Sequence, residues 1–124
     1  MKILVVDDEK DIQPLFEQRF RREIKKGEIK FVFAYSGEEA LERFIECQHE
    51  AVLILSDINM PGMSGLELLD QIKQNYHDPS PLVMMITAYG DSEIYDRAME
   101  LGADDFITKP VDFTTLKEKI KTLS

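Results

Sequence analysis

A doubly wound α/β sandwich, with five parallel strands in the order 2-1-3-4-5 and helices on both faces, is the architecture this sequence predicts. Two observations lead there. Short apolar runs alternate with amphipathic stretches about five times along the 124 residues, and a strand-then-helix rhythm means parallel strands joined by right-handed crossovers. Three of the runs are apolar throughout, as strands covered on both faces must be, whereas the second and fifth are mixed and belong at the edges.

Taken in order, Ile3–Val6 forms the first strand and ends at Asp7 and Asp8. Ile12, Leu15, Phe16, Phe20 and Ile24 recur at helical spacing, which predicts one helix stopped by Gly27. Pro14 falls in its first turn, where a missing N–H costs nothing. Ile29–Tyr35 is the mixed second strand, and Ser36 with Glu39 opens a helix through a capping box. Ala51–Leu55 is the third strand, and Ser64 with Glu67 repeats the capping pattern. Leu82–Ile86 is the fourth strand, and Gly102 closes the helix that follows. Asp105–Thr108 is the fifth strand, and Asp112 caps a last helix running to the C-terminus. Placing the apolar strands centrally gives the flavodoxin-like arrangement, one domain over residues 1–124.

Composition removes several function classes. A formal charge of -9 disfavours direct binding to nucleic acid or an anionic membrane, both of which need a basic face. The basic run Arg19, Arg21, Arg22, Lys25 and Lys26 is interrupted by Glu23 and reads as a solvated face. The single cysteine, Cys47, cannot close an internal disulfide, and MKILVVDDEK lacks a signal-peptide core, so the expected compartment is cytoplasmic. Cys47, His49 and His77 supply no zinc-ligand set. Neither GxxxxGK[ST] nor GxGxxG occurs. The acidic, glycine-free DDEKD loop would repel a phosphate cofactor, flavin mononucleotide included.

Parallel sheets place their ligands outside the carboxyl ends of the strands. At those ends stand Asp7 and Asp8, Asp57, Thr87 and Lys109. Two carboxylates ~4 Å apart repel by about 4 kcal/mol at an effective dielectric near 20. Three in one pocket therefore need cations or raised pKa values. Lys109 supplies one charge, and an all-oxygen set with few protein donors suits Mg²⁺. A carboxylate beside Mg²⁺, an ammonium and a hydroxyl is equipped to attack phosphorus and become an aspartyl phosphate. Asp57, held at a buried strand's tip and followed by the tight Asn59–Gly65 loop, is the candidate nucleophile.

At these residues the sequence resembles the receiver domains of two-component response regulators, the CheY-like family. The matching motifs are VVDDE at 5–9, AYSGEEAL at 34–41, SDINMPGMSG at 56–65, ITAYG at 86–90 and GADDFITKP at 102–110. The resemblance implies that Asp57 takes a phosphoryl group from the phosphohistidine of a sensor kinase or phosphotransfer protein. It implies Mg²⁺ held by Asp8, Asp57 and the carbonyl of Asn59, with Asp7 acting through water. Lys109 would pair with the phosphoryl group, and the Lys109–Pro110 bond would be cis. Thr87 and Phe106 would be the switch pair, biasing the face made by the fourth helix, fifth strand and fifth helix toward a downstream effector. Asn59 and Tyr89 would tune phosphoryl lifetime. The family also leaves room for a homodimer formed on phosphorylation.

The expected protein is thus a signalling switch whose only chemistry is its own phosphorylation and dephosphorylation. Two other classes compete. One is a Mg²⁺-dependent phosphohydrolase working through an aspartyl phosphate, whose usual D-x-D spacing is missing here. The other is a phosphate-independent interaction module, whose usual mark, a lost acidic or lysine residue, is also missing.

Overall fold

The computed structural model describes residues 1–47, 51, 53–76, 80–88 and 92–123. Tyr89, His49, His77 and Gly90 of the ITAYG motif lie outside the described residues. Five strands, β1 (Lys2–Val6), β2 (Lys30–Ala34), β3 (Leu53–Asp57), β4 (Leu82–Thr87) and β5 (Asp105–Thr108), form one parallel sheet. Its order is β2-β1-β3-β4-β5. The expected order is therefore observed, with the apolar β1, β3 and β4 in the middle.

Helices α1 (Ile12–Arg19) and α6 (Phe113–Leu123) cover one face of the sheet, while α3 (Gly37–Glu46), α4 (Gly65–Asn75) and α5 (Ser92–Glu100) cover the other. The pleat sorts neighbouring residues between the two cores. Ile3, Val5, Leu53, Leu55, Met84 and Ile86 pack with Phe16, Phe20 and Leu116. Leu4, Val6, Ile54, Val83 and Met85 pack with Phe44, Leu68, Leu69 and Ile72. That both sets are buried explains why the strands read as unbroken apolar runs.

The caps show how closely local sequence governs these elements. Ser36 Oγ accepts the Glu39 N–H at 3.0 Å, and Ser64 Oγ accepts the Glu67 N–H at 3.2 Å. The Glu39 carboxylate reaches one residue further back than a capping box requires, accepting the Tyr35 N–H at 2.8 Å. Asp112 accepts the N–H groups of Thr114 and Thr115 at 3.0 and 3.4 Å.

The first helical region differs from expectation. Instead of one helix to Gly27, the chain forms α1 and a separate short helix α2 (Arg21–Lys25), broken at Phe20, whose φ is -106° and ψ 21°. Packing accounts for the break. The Phe20 ring is fully buried, with centroids 5.8 Å from Phe16 and 5.0 Å from Phe31. Glu23 meanwhile pairs with Lys117 of α6 at 3.1 Å, drawing α2 toward the last helix. Leu15 and Ile24, expected on the buried stripe, are left 38% and 37% exposed. With six helices among the described residues, the anticipated signalling face corresponds to α5, β5 and α6.

Candidate functional site

Three strand tips build the site. After β1, the Asp7 N–H donates to the Ala34 carbonyl at 3.1 Å, continuing the ladder one residue beyond the strand. Burial of Asp7 follows, at 3% exposure, while the next residue, Asp8, faces solvent. After β3, Asp57 is 5% exposed and its Oδ1 accepts the Ile58 N–H at 2.9 Å. After β5, the Lys109 N–H donates to the Thr87 carbonyl at 2.8 Å. This carries the Lys109 ammonium to 3.1 Å from Asp57 Oδ2. Both Asp57 oxygens are thereby engaged, which fixes the carboxylate at the strand's end.

Ligand atoms from Asp7, Asp8 and Asp57 lie within 4.8 Å of one another. The electrostatics carry the mark of that crowding. Burial raises the Asp7 pKa above 3.8, and the negative charges of Asp57 and Glu9 add to the rise. A hydrogen bond from the Glu9 N–H at 2.9 Å and the charge of Lys109 work in the opposite direction. For Lys109, burial disfavours the charged form. The hydrogen bond and charge of Asp57, with Asp7 and Glu9, outweigh it and raise its pKa above 10.5. An oxygen-only donor set with surplus negative charge fits a hard divalent cation such as Mg²⁺.

The loop leaving Asp57 is tightly constrained. The Gly65 N–H donates to the Ile58 carbonyl at 2.8 Å. A Cβ at Gly65 would lie 2.1 Å from the Asp57 carbonyl oxygen, so only glycine allows α4 to start this close to the site. Asn59 is exposed on this loop, whereas Ile58 and Met60 are buried beneath it.

Thr87 ends β4 with a buried side chain, its Oγ1 3.4 Å from the Ala88 carbonyl, at the long limit of a hydrogen bond. Phe106 is half-buried on the face covered by α5, its ring centroid 4.6 Å from that of Tyr95. The Lys109–Pro110 peptide bond is cis. Among the described residues the structure therefore gathers Asp7, Asp8, Asp57 and Lys109, with Thr87 at an adjacent strand tip and Asn59 on the loop. Tyr89 lies outside the described residues.

Sequence reasoning missed three contributors. Gln13 of α1 accepts a hydrogen bond from the Tyr35 hydroxyl, tying α1 to the turn after β2. Glu38 accepts the Met63 N–H at 3.3 Å across the rim. Glu9 carries an N–H that orients Asp7. Only Glu38 left a signal, as a second carboxylate beside the one that caps α3.

Over residues 3–121 the chain matches the family described as the response regulator receiver domain. It belongs to that family. The receiver domain of a Clostridium thermocellum protein is similar at a TM-score of 0.85 and 30% identity, covering 98% of this chain and 92% of that one. The chemotaxis protein CheY4 of Vibrio cholerae shares the fold at a TM-score of 0.84 and 24% identity, covering 99% and 98%. Among curated relatives, the response regulator protein PilR of Pseudomonas aeruginosa is 37% identical over 98% of this chain and 25% of its own length. A cyclic di-GMP phosphodiesterase of Thermotoga maritima is 35% identical over 97% of this chain and 30% of its own length. The chain thus spans between a quarter and a third of the curated relatives it matches.

Receiver domains are the phosphorylation-controlled signalling modules of two-component systems, characteristically modified on an aspartate and generally not enzymes in their own right. They bind Mg²⁺ in an acidic pocket and interact with histidine kinases and effector domains. Among the described residues, no helix of this receiver domain is long and apolar enough to cross a membrane.

Proposed function

We propose that Asp57 is the phosphoacceptor of a signalling switch, charged by the phosphohistidine of a sensor kinase or phosphotransfer protein. The observation that carries this reading is the Lys109 ammonium 3.1 Å from a buried Asp57 carboxylate, beside two further acids. An Asp57 oxygen attacks phosphorus. The new O–P bond forms as the P–N bond of phosphohistidine breaks, and the electron pair returns to the imidazole nitrogen. Lys109 moves its hydrogen bond from the carboxylate to an equatorial phosphoryl oxygen. Asp8, Asp57 and the Asn59 carbonyl would hold Mg²⁺, with Asp7 acting through water, and the bound ion would supply charge neutralisation to the transferring group. Hydrolysis reverses the modification when water attacks the phosphorus and the Asp57 carboxylate leaves. Asn59 and Tyr89 govern how readily that water enters.

A groove beside Lys109 supports docking of the donor. It measures about 540 Å³ and opens between α1 and the segment joining β5 to α6, running from Asp7 and Lys109 over Ile12, Leu15 and Pro110 to Arg19. On the other side, Thr87 turns its hydroxyl to the phosphoryl group and Phe106 fills the space behind it. The α5–β5–α6 face then changes affinity for an effector domain, a separate effector protein or a second copy of the chain.

Incubation with a small phosphodonor and Mg²⁺ tests the assignment. The wild type is expected to incorporate acid-labile phosphate stoichiometrically, and Asp57→Asn to incorporate none. Equal labelling of the variant would remove Asp57 from its role. Sustained phosphate release over many turnovers of one ester substrate would instead favour the phosphohydrolase reading.

A further inference from the structure

Resting on the proposed phosphoacceptor site, a second set of contacts concerns how its loop is held. The segment from Asn59 to Ser64 leaves the sheet at the site and is closed at its base by the Gly65-to-Ile58 hydrogen bond. Its outer half leans on a different element, the N-terminus of α3. The Glu38 carboxylate accepts the Met63 N–H at 3.3 Å. Its second oxygen stands 2.9 Å from where a Cβ of Gly62 would be, and Gly62 itself has φ of +74°. In return the Met63 side chain lies on the backbone of Gly37, so closely that a Cβ there would meet Met63 Cβ at 2.9 Å. Two glycines, one on each side, thus allow the loop and the helix start to interlock.

The same helix start is itself braced. Ser36 and Glu39 cap α3, and the neighbouring Tyr35 hydroxyl donates to Gln13 of α1. Glu38 therefore projects from a fixed platform rather than a mobile turn, and its spacing from Met63 is set by the capped helix.

We infer that Glu38 is a positioning residue for the metal site: through Met63 and Gly62 it holds the loop so that the Asn59 carbonyl is presented to the Mg²⁺ held by Asp8 and Asp57. The carboxylate touches neither metal nor phosphoryl group. It acts by removing conformational freedom from the loop before the cation arrives, which lowers the entropic cost of binding. A charge-assisted hydrogen bond at an exposed position is worth a modest factor, so releasing it weakens Mg²⁺ affinity roughly threefold to tenfold. The maximal rate at saturating Mg²⁺ stays near that of the wild type, because the nucleophile and Lys109 are untouched.

Glu38→Ala and Glu38→Gln, each compared with wild type and Asp57→Asn, provide the test. Mg²⁺ affinity is read by calorimetry and by the melting-temperature rise on titration, with no phosphodonor present. Labelling by a small phosphodonor is then followed against Mg²⁺ concentration. The expected result has three parts: metal-free melting temperatures of both variants within a few degrees of wild type, weakened Mg²⁺ binding for Glu38→Ala, and recovery of most of the affinity by Glu38→Gln, whose amide oxygen still accepts the Met63 N–H. Labelling by Glu38→Ala would need more Mg²⁺ for half-maximal rate but reach a similar maximum. Unchanged Mg²⁺ binding in Glu38→Ala overturns the inference. Equal losses in the alanine and glutamine variants also overturn it, since net charge rather than positioning would then be responsible. Neither outcome touches the phosphoacceptor assignment, which fails only if Asp57→Asn labels like the wild type or the wild type does not label.

Discussion

Replacing Asp7 by asparagine should make the metal-free protein more stable, although it removes a carboxylate from the acidic cluster. The ligand atoms of Asp7, Asp8 and Asp57 lie within 4.8 Å of one another, and a pair of unit charges at that separation repels by about 3 kcal/mol at an effective dielectric near 20. Lys109, paired with Asp57 at 3.1 Å, offsets part of this for Asp7. A net relief of about 1–2 kcal/mol remains, or a melting temperature higher by roughly 5 °C for a domain of this size. Asparagine keeps the oxygen that accepts the Glu9 N–H at 2.9 Å, so the backbone turn survives the exchange.

The pH dependence gives the effect a sign. Asp7 has a folded pKa above its ordinary 3.8, so the folded state holds the proton more tightly than the unfolded chain. Metal-free wild type therefore loses stability as pH rises from 3.8 through the raised value, then levels off. The asparagine variant lacks that decline, so the two should be nearly equal in strong acid and diverge toward neutrality. Differential scanning in chelator between acid and neutral pH measures it. Mg²⁺ should then stabilise the wild type, by about 1.4 kcal/mol at ten times a dissociation constant, and the variant much less. A variant no more stable than wild type at neutral pH, or a wild type indifferent to millimolar Mg²⁺, would refute the reasoning.

Three more outcomes follow from the same geometry. The Lys109 pairing is fully formed below its ordinary pKa of 10.5 and is lost as pH rises through the raised folded value; the stability gap between wild type and Lys109→Met, measured by urea titration, should close in that alkaline range. Gly65→Ala forces a Cβ to within 2.1 Å of the Asp57 carbonyl oxygen, so it should destabilise the fold by about 3 kcal/mol or more and depress phosphodonor labelling; a neutral effect in both assays would mean that the α4 start is not rigid. Phe20→Ala empties a fully buried ring site at the α1–α2 break and should cost about 3–5 kcal/mol in chemical denaturation, with Asp57 labelling retained under conditions where the variant is folded.

What the sequence made legible and what it hid divide along physical lines. The central strands were readable because burial on both faces leaves runs such as Leu82–Ile86 without polar residues. The acidic rim was readable because parallel strands deliver their last residues to one edge, which is where Asp7, Asp57 and Lys109 meet. The break at Phe20 was not, because Ile12, Phe16, Phe20 and Ile24 keep helical spacing straight through it. Helical periodicity records which residues are apolar, not whether aromatic packing and the Glu23–Lys117 pair outweigh helix continuity. Glu38 and Gln13 escaped for a different reason: each acts across space on a turn distant in sequence, and beyond Glu38's place beside the capping Glu39 a one-dimensional pattern does not record such a meeting.

The two sheet faces are filled with different materials. Beneath α1 and α6, five phenylalanines (Phe16, Phe20, Phe31, Phe33 and Phe113) meet ring against ring, flat plates with few torsions and little room to trade places. Beneath α3, α4 and α5, Met60, Met63 and Met85 belong to the opposite core, and thioether chains rearrange where rings cannot. A load placed on the shared rim would therefore press on stiff ring packing on one side and on a more adaptable layer on the other.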